Sequence, residues 1–382
     1  MDFSLTPEQE AVQKRAREAA QETKAKAAGL DREGRFPQEI LDHWAKEGFF
    51  GLSLPREYGG GGKDYVSYAL AQMELAQACP SSALMLHVSH SIFGMGLHQF
   101  GAEEQKRRFL PPVASGDALA AFALTEPQAG SDPSRLQTIA SREGDGWVLT
   151  GQKNFVTSGQ TAHFALVAAR SDLSQAPQKG ISLFIVDLKI TPGVQVGPVE
   201  EKMGLRGARS VSLEFNNAQL PADSLLGEAN QGLKMALALM DNARVGAAAQ
   251  AVGIGKAALQ EALNYARGRE QFGQPLAQFQ SIQFKLADLA AALEAASLLT
   301  LKAAWLKDKG KPFTTAAAMA KKCATDTAMA AAQEGLQILG GYGYLKDYPL
   351  ERYFRDAKAG QIYEGTNEIM RLIIARDLLK GG

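Results

Sequence analysis

The sequence predicts an α+β protein in three parts: an N-terminal all-helical domain (1–114), a middle antiparallel β domain of small barrel or sandwich type (115–222), and a C-terminal four-helix bundle (223–382). Three observations predict it. Apolar residues recur at helical spacing through the first part, change near Ala118 to short β-branched runs, and revert after Pro221 to long alanine-rich helical segments. Helices, then strands, then helices is the order of segregated α+β layers. A chain of 382 residues also exceeds one ordinary core, so two or three domains are expected.

The first helix opens with Thr6 as cap, Pro7 at the first helical position and Gln9 completing a capping box ahead of Ala11 and Val12. A second begins at Pro37, carries Ile40, Leu41 and Trp44, and stops near residues 51–55. Residues 58–62 (YGGGG) lack the Lys-Ser/Thr of a P-loop, so they form a flexible linker. Helical patterning continues over 65–78 and 83–100, and 103–110 forms a short amphipathic helix. Strands are expected at 147–149, 164–168, 181–186 and 211–215, with turns at 144–146 and 216–217. Helices at 231–267, 276–307 and 314–339, with one opened by Asn367, make the four of a bundle.

Composition narrows the class. With 46% hydrophobic and 21% charged residues, and 41 basic against 41 acidic side chains, nothing points to a nucleic-acid or membrane-surface partner. Cys79 and Cys323 form no CxxC pair, which fits buried free thiols in a reducing compartment. The acidic, polar amino terminus lacks signal-peptide character, so a bacterial cytoplasmic protein is expected. The most apolar stretch, 82–100, carries His87, His90 and His98 and is expected as a buried helix or helix pair, with no integral membrane segment. His87 and His90 lie one turn apart, but no third ligand is near, so they are expected as buried or partly exposed histidines and no metal is expected.

The chemistry concentrates at residues 361–371 (QIYEGTNEIMR), where Glu364 sits between Tyr363 and Gly365 just ahead of a helix. Thr366 or Asn367 caps that helix, and Ile369, Leu372, Ile373, Ala375, Leu378 and Leu379 follow at helical spacing. A carboxylate beside an aromatic ring and away from bulk water is desolvated, the setting in which carboxylates serve as general bases. A solvated capping carboxylate is the alternative. A dinucleotide cofactor often leaves a glycine fingerprint, and the nearest match is Gly253, Gly255 and Ala258. It lies within a helical run with no preceding strand, which rejects it.

The elbow around Glu364 resembles the active-site segment of the acyl-CoA dehydrogenases, and further matches span nearly all of the chain. The resemblance implies FAD-dependent α,β-dehydrogenation of an acyl-CoA to trans-2-enoyl-CoA, with Glu364 as base. Residues 122–132 (FALTEPQAGSD) resemble the family's signature loop, which assigns Phe122, Leu124, Thr125, Gly130 and Ser131 to the flavin, and Ser131 to the substrate as well. Residues 151–159 (GQKNFVTSG) resemble the segment that packs on the flavin, with Phe155 as the ring, Val156 beside it and Thr157 donating toward N5. Phe155, where Trp is commonest, and Gln128, where Gly is usual, are departures.

Arg269, Gln271, Phe272 and Gln280, with Gln337, Gly340 and Gly341, resemble positions that reach the FAD of a neighbouring subunit, which implies an oligomer, a homotetramer above all. Thr366 and Asn367 complete the cofactor set. Asp241 and Arg244 in 240–245 (MDNARV) resemble substrate contacts, joined by Tyr363 and Gly365; a surface ion pair is the alternative. Some relatives place the base on this helix, where Asn242 and Ala243 offer no carboxylate. The resemblance further implies electron-transfer flavoprotein as acceptor and a place in fatty-acid β-oxidation or branched-chain catabolism, with short or branched acyl groups as substrate. A same-fold oxidase or monooxygenase using oxygen, a glutaryl-CoA dehydrogenase (from GSDPSRLQT), and a non-catalytic binding scaffold are the competing assignments.

Overall fold

A computed structural model describes residues 3–380. Helices α1 (Pro7–Glu33), α2 (Gln38–Lys46), α3 (Tyr65–Ala78), α4 (Pro80–His87), α5 (Met95–Phe100) and α6 (Glu103–Ser115) come first. The capping box at Thr6 and Gln9 is present, and α1 ends at Gly34 with φ of 60°. The expected buried helix or helix pair over 82–100 is present, joined by an unexpected turn type: Val88–Gly94 winds as a π-helix between α4 and α5. Such insertions widen the turn and often mark functional segments. Helix α6 runs on through Pro111 and Pro112, five residues past the expected stop, and Gly116 at φ 84° ends it.

The sheet follows, with β1 (Ala120–Ala123), β2 (Ile139–Glu143), β3 (Gly146–Val156), β4 (Phe164–Arg170), β5 (Ile181–Asp187), β6 (Val194–Val199), β7 (Val211–Leu220) and β8 (Leu225–Leu226). Its order is β6-β7-β3-β2-β4-β5-β8, with β1 also on β4. Most pairs are antiparallel as expected, but β1 and β2 each run parallel to β4. Strand β4 therefore carries partners on both sides and reads as a continuous apolar run. Leu166 and Ala168 face the helices, while Ala165, Val167 and Ala169 face a second core with Phe184, Phe215 and Trp147.

The C-terminal part holds α7 (Gly232–Gly268), a hairpin of β9 (Glu270–Gln271) and β10 (Gln274–Pro275), α8 (Gln280–Asp308), α9 (Thr314–Leu339), α10 (Leu350–Gly360) and α11 (Asn367–Leu379). The sequence pattern did not single out α10. Helix α7 packs on α9, α8 and α3, so it joins the bundle to the N-terminal helices. Small residues allow that approach: a Cβ on Gly253 would lie 2.4 Å from the Met73 carbonyl oxygen. By length and composition α8 is apolar enough to cross a membrane, yet it packs against α3, α7 and α9 as a bundle helix.

Candidate active site

Helix α10 ends in a turn that throws Glu364 into the left-handed region at φ 56°, followed by Gly365 at φ 89°. For a non-glycine residue this backbone costs of the order of 1 kcal/mol and persists only where its surroundings enforce it. They do so here. Lys321 of α9, fully buried, donates to the Gly365 carbonyl at 2.8 Å and to Asn367 Oδ1 at 3.0 Å. Burial pushes the Lys321 ammonium down to about 8. Thr366 is the N-cap of α11, accepting from the Ile369 N–H, and Tyr363 donates to Gln250 Oε1 at 2.7 Å.

The Glu364 side chain is 7% exposed, so the solvated-cap alternative does not describe it. Its Oε1 lies 2.5 Å from Nε2 of His87, a fully buried side chain at the end of α4. Its Oε2 is buried with no hydrogen-bond partner. Behind His87, Nδ1 meets the Tyr68 hydroxyl at 3.3 Å, and Ser91 Oγ donates to that hydroxyl at 2.8 Å. His90 instead pairs with Ser53 at 2.9 Å and stacks on Tyr68. The two histidines thus serve different partners. His87, Tyr68 and Lys321 belong to this site and were not assigned to it from sequence.

Asp241 and Arg244 pair at 2.6 Å with side chains 12% and 6% exposed, which corrects the surface-pair alternative. Thr314 donates to the other Asp241 oxygen at 2.5 Å, while Arg244 Nε is buried without a partner. Asn367 turns inward, 3% exposed, donating to Thr325 and Asp326. Its side chain shapes the elbow rather than facing outward to a ligand.

Phe122, Leu124 and Thr125 at the end of β1 lie beside Phe155, Val156 and Thr157 at the end of β3, joined by the Asn154 N–H donating to the Thr125 carbonyl at 2.8 Å. Pairing of β3 with β7 slips between Lys153 and Val156, and within that irregularity Phe155 turns to φ 56° with 66% of its surface exposed. Glu126 and Lys153 form an ion pair at 2.6 Å beneath this turn. Glu126 also accepts from Gln137 N, Thr138 N and the Gln128 side chain, so Gln128 closes the loop rather than loosening it. Val156 is buried, whereas Gly130 and Ser131 are exposed, with open space at the Gly130 Cβ position.

Arg269, Gln271, Gly340 and Gly341 line an open cleft of about 450 Å³ with Tyr265 and Tyr342. Phe272 sits on the hairpin turn at φ 53°, 95% exposed, and Gln280 and Gln337 are also exposed. No residue of the β1 or β3 loops lines this cleft, so the two sets stay apart within one chain. Uncovered rings at Phe155 and Phe272, an unobstructed glycine turn and Arg269 stacked over the Tyr342 ring at the cleft fit a large planar cofactor with a pyrophosphate.

The family model described as acyl-CoA dehydrogenase, N-terminal domain, matches residues 6–117, the middle-domain model matches 121–218, and the C-terminal-domain model matches 230–379. The mitochondrial short-chain specific acyl-CoA dehydrogenase of Bos taurus is 45% identical over 93% of this chain and 85% of its own length. The structure of butyryl-CoA dehydrogenase from Megasphaera elsdenii superposes with a TM-score of 0.97 at 42% identity, covering 99% of this chain and 100% of the other. A chain from a structure of the electron transferring flavoprotein of Acidaminococcus fermentans gives 0.98 at 42% identity, with 100% of both chains covered. With the three domain models matched in order along one chain and relatives 45% identical over most of its length, the protein belongs to the acyl-CoA dehydrogenase family.

Proposed function

We propose that this protein oxidises a short straight-chain acyl-CoA to the trans-2-enoyl-CoA, with Glu364 as the base and electron-transfer flavoprotein as acceptor. The observation that carries this is the asymmetry of Glu364, with Oε1 hydrogen-bonded to His87 and Oε2 buried and unpartnered. A buried acceptor whose lone pair meets no donor is costly to keep unless a donor is supplied, and the acidic C–H of the substrate supplies it. The similarity to short-chain and butyryl-CoA enzymes supports a four-carbon acyl group.

A thioester α C–H is far too weak an acid for a carboxylate unaided, so the carbonyl oxygen needs donors for developing enolate charge. Among the described residues no acceptor takes the Glu364 N–H, which leaves it free for that oxygen. The left-handed turn at Glu364 and the Lys321 bond to Gly365 hold this N–H and the side chain in one geometry. The low exposure of the Glu364 side chain strengthens both interactions by excluding water. Arg244, with its buried unpaired Nε, and Asp241 bind the CoA portion near Ser131, and Tyr363 borders the acyl group.

Bound in this site, FAD would supply the acceptor for the β-carbon hydride, with electron-transfer flavoprotein as the onward electron acceptor. Phe122, Leu124, Thr125, Gly130, Ser131, Phe155, Val156 and Thr157 would hold it from one subunit, with Thr366 at the elbow. Arg269, Gln271, Phe272, Gln280, Gln337, Gly340 and Gly341 would hold it from a neighbour. The exposed apolar side chains Phe284, Leu298 and Trp305 on α8 support packing of a homotetramer through the bundle. Similarity to bacterial relatives over the whole chain supports a cytoplasmic setting.

Anaerobic mixing of the yellow holoenzyme with butyryl-, octanoyl- and glutaryl-CoA tests this. Bleaching of the visible flavin band is expected fastest with butyryl-CoA and lost in Glu364→Gln with substrate binding retained. Equal bleaching by the mutant would place the base elsewhere. Faster reaction with glutaryl-CoA would replace the substrate assignment, and rapid reoxidation in air would replace the acceptor.

A further inference from the structure

We propose that His87 is the positioning residue of the base: held between Tyr68 and Glu364, its imidazole presents Oε2 alone to the substrate. This rests on Glu364 being the base. Ser91 donates to the Tyr68 oxygen, which leaves the Tyr68 hydroxyl hydrogen for His87 Nδ1. Nε2 then carries the imidazole proton and donates it to Oε1. The carboxylate keeps one oxygen bound throughout, so the proton leaving the α carbon goes to Oε2 and none need leave His87.

The backbone makes room for this arrangement. Gly246 of α7 lies against the imidazole, where a Cβ would fall 2.1 Å from His87 Nδ1 and 2.8 Å from the Tyr68 hydroxyl. A carboxylate at the end of a short, left-handed turn has two rotatable side-chain bonds beyond Cβ, and one donor from a rigid, fully buried ring removes that freedom. His87 reaches Glu364 across 277 residues of sequence, from the last turn of α4 where the π-helix begins.

The charged and titratable groups around the pair are Tyr65 and Tyr68 on α3, His90 on the π-helix, and Asp241 and Arg244 on α7. Lys307 on α8, Lys321 on α9 and Tyr363 beside Glu364 complete them. Burial drives the three phenols far above their usual range and His90 down to about 3, so all four stay neutral. Burial brings Lys307 and Lys321 down to about 8, which places their effects on the alkaline limb of a rate profile.

The test is anaerobic stopped-flow reduction of the holoenzyme by butyryl-CoA, as a function of pH, for four variants. His87→Leu should slow reduction about 10²-fold, the cost of a base that is present but unaimed. Its KM should be unchanged, because the base is misaimed while the groups that bind the substrate stay in place. His87→Gln, whose amide restores a donor, should recover most of the rate. Gly246→Ala, which keeps every polar group but displaces the ring, should reproduce the His87→Leu defect, and it decides the matter if His87→Leu does not bind FAD. A wild-type rate in Gly246→Ala and His87→Leu, with Glu364→Gln inactive, would overturn the role of His87. An active Glu364→Gln would instead overturn the assignment of the base.

Discussion

Two buried glutamates, Glu126 under the β-domain loop and Glu364 at the elbow, each sit against a basic side chain, at 2.6 Å from Lys153 and 2.5 Å from His87. They differ in what their remaining lone pairs meet. Glu126 accepts from two backbone N–H groups and the Gln128 amide besides Lys153. Burial would raise its pKa, but these donors overcome that and hold the carboxyl below the usual value. Glu364 has one oxygen bound and one bare. A saturated carboxylate is a strut, whereas a half-satisfied one retains a site for a proton.

The largest effect should come at the half-satisfied member. Glu364→Gln is expected to slow flavin reduction by about 10³-fold or more, within the range of lost general-base catalysis, while its Tm stays near wild type. A mutant that unfolds early instead would make Glu364 a strut like Glu126.

Glu126→Ala is expected to do the converse and to lower stability by about 3–5 kcal/mol in urea unfolding, because Lys153 is left buried without its counter-charge. Replacing both partners with methionine should recover much of that loss. A double mutant no better than the single would show that the backbone bonds to Gln137 and Thr138, rather than the charge, are what Glu126 contributes.

A third contrast lies between the two histidines. Burial takes His90 from the ordinary 6.5 to about 3, so below 6.5 the unfolded chain binds a proton that the native state refuses. Stability should therefore fall with falling pH, by up to about 1.4 kcal/mol per unit from this group. His90→Asn should flatten that slope in urea titrations at successive pH values; an unchanged slope would assign it to other groups. The smallest effect is expected at the cap: Thr366→Ala should cost about 1 kcal/mol through fraying of α11, measurable as a lower urea midpoint.

Much of this site was legible locally. The elbow, its cap and the helix after it follow from Thr366, Gly365 and the apolar spacing from Ile369 onward. The π-helix was not legible, because the apolar pattern of 83–100 is equally compatible with a continuous helix and only packing around α7 reveals the wider turn. His87 was visible as one of two histidines a turn apart, but its partner lies on the opposite end of the chain. Lys153 and Lys321 read as ordinary lysines, and their complete burial could not be inferred from neighbours in sequence.

By itself the sequence determined the long helices, the strands β3, β4, β5 and β7, the order of the three parts and the start of α11. Those features depend on interactions within a few residues, where periodicity and capping act. Tertiary structure alone decided which oxygen of Glu364 is bound and which is bare, that Asp241 and Arg244 are buried, and that Phe155 is turned outward. Such partnerships arise when distant elements are pressed together, and Gly246 shows the scale: absence of one Cβ lets His87 and Tyr68 reach their positions.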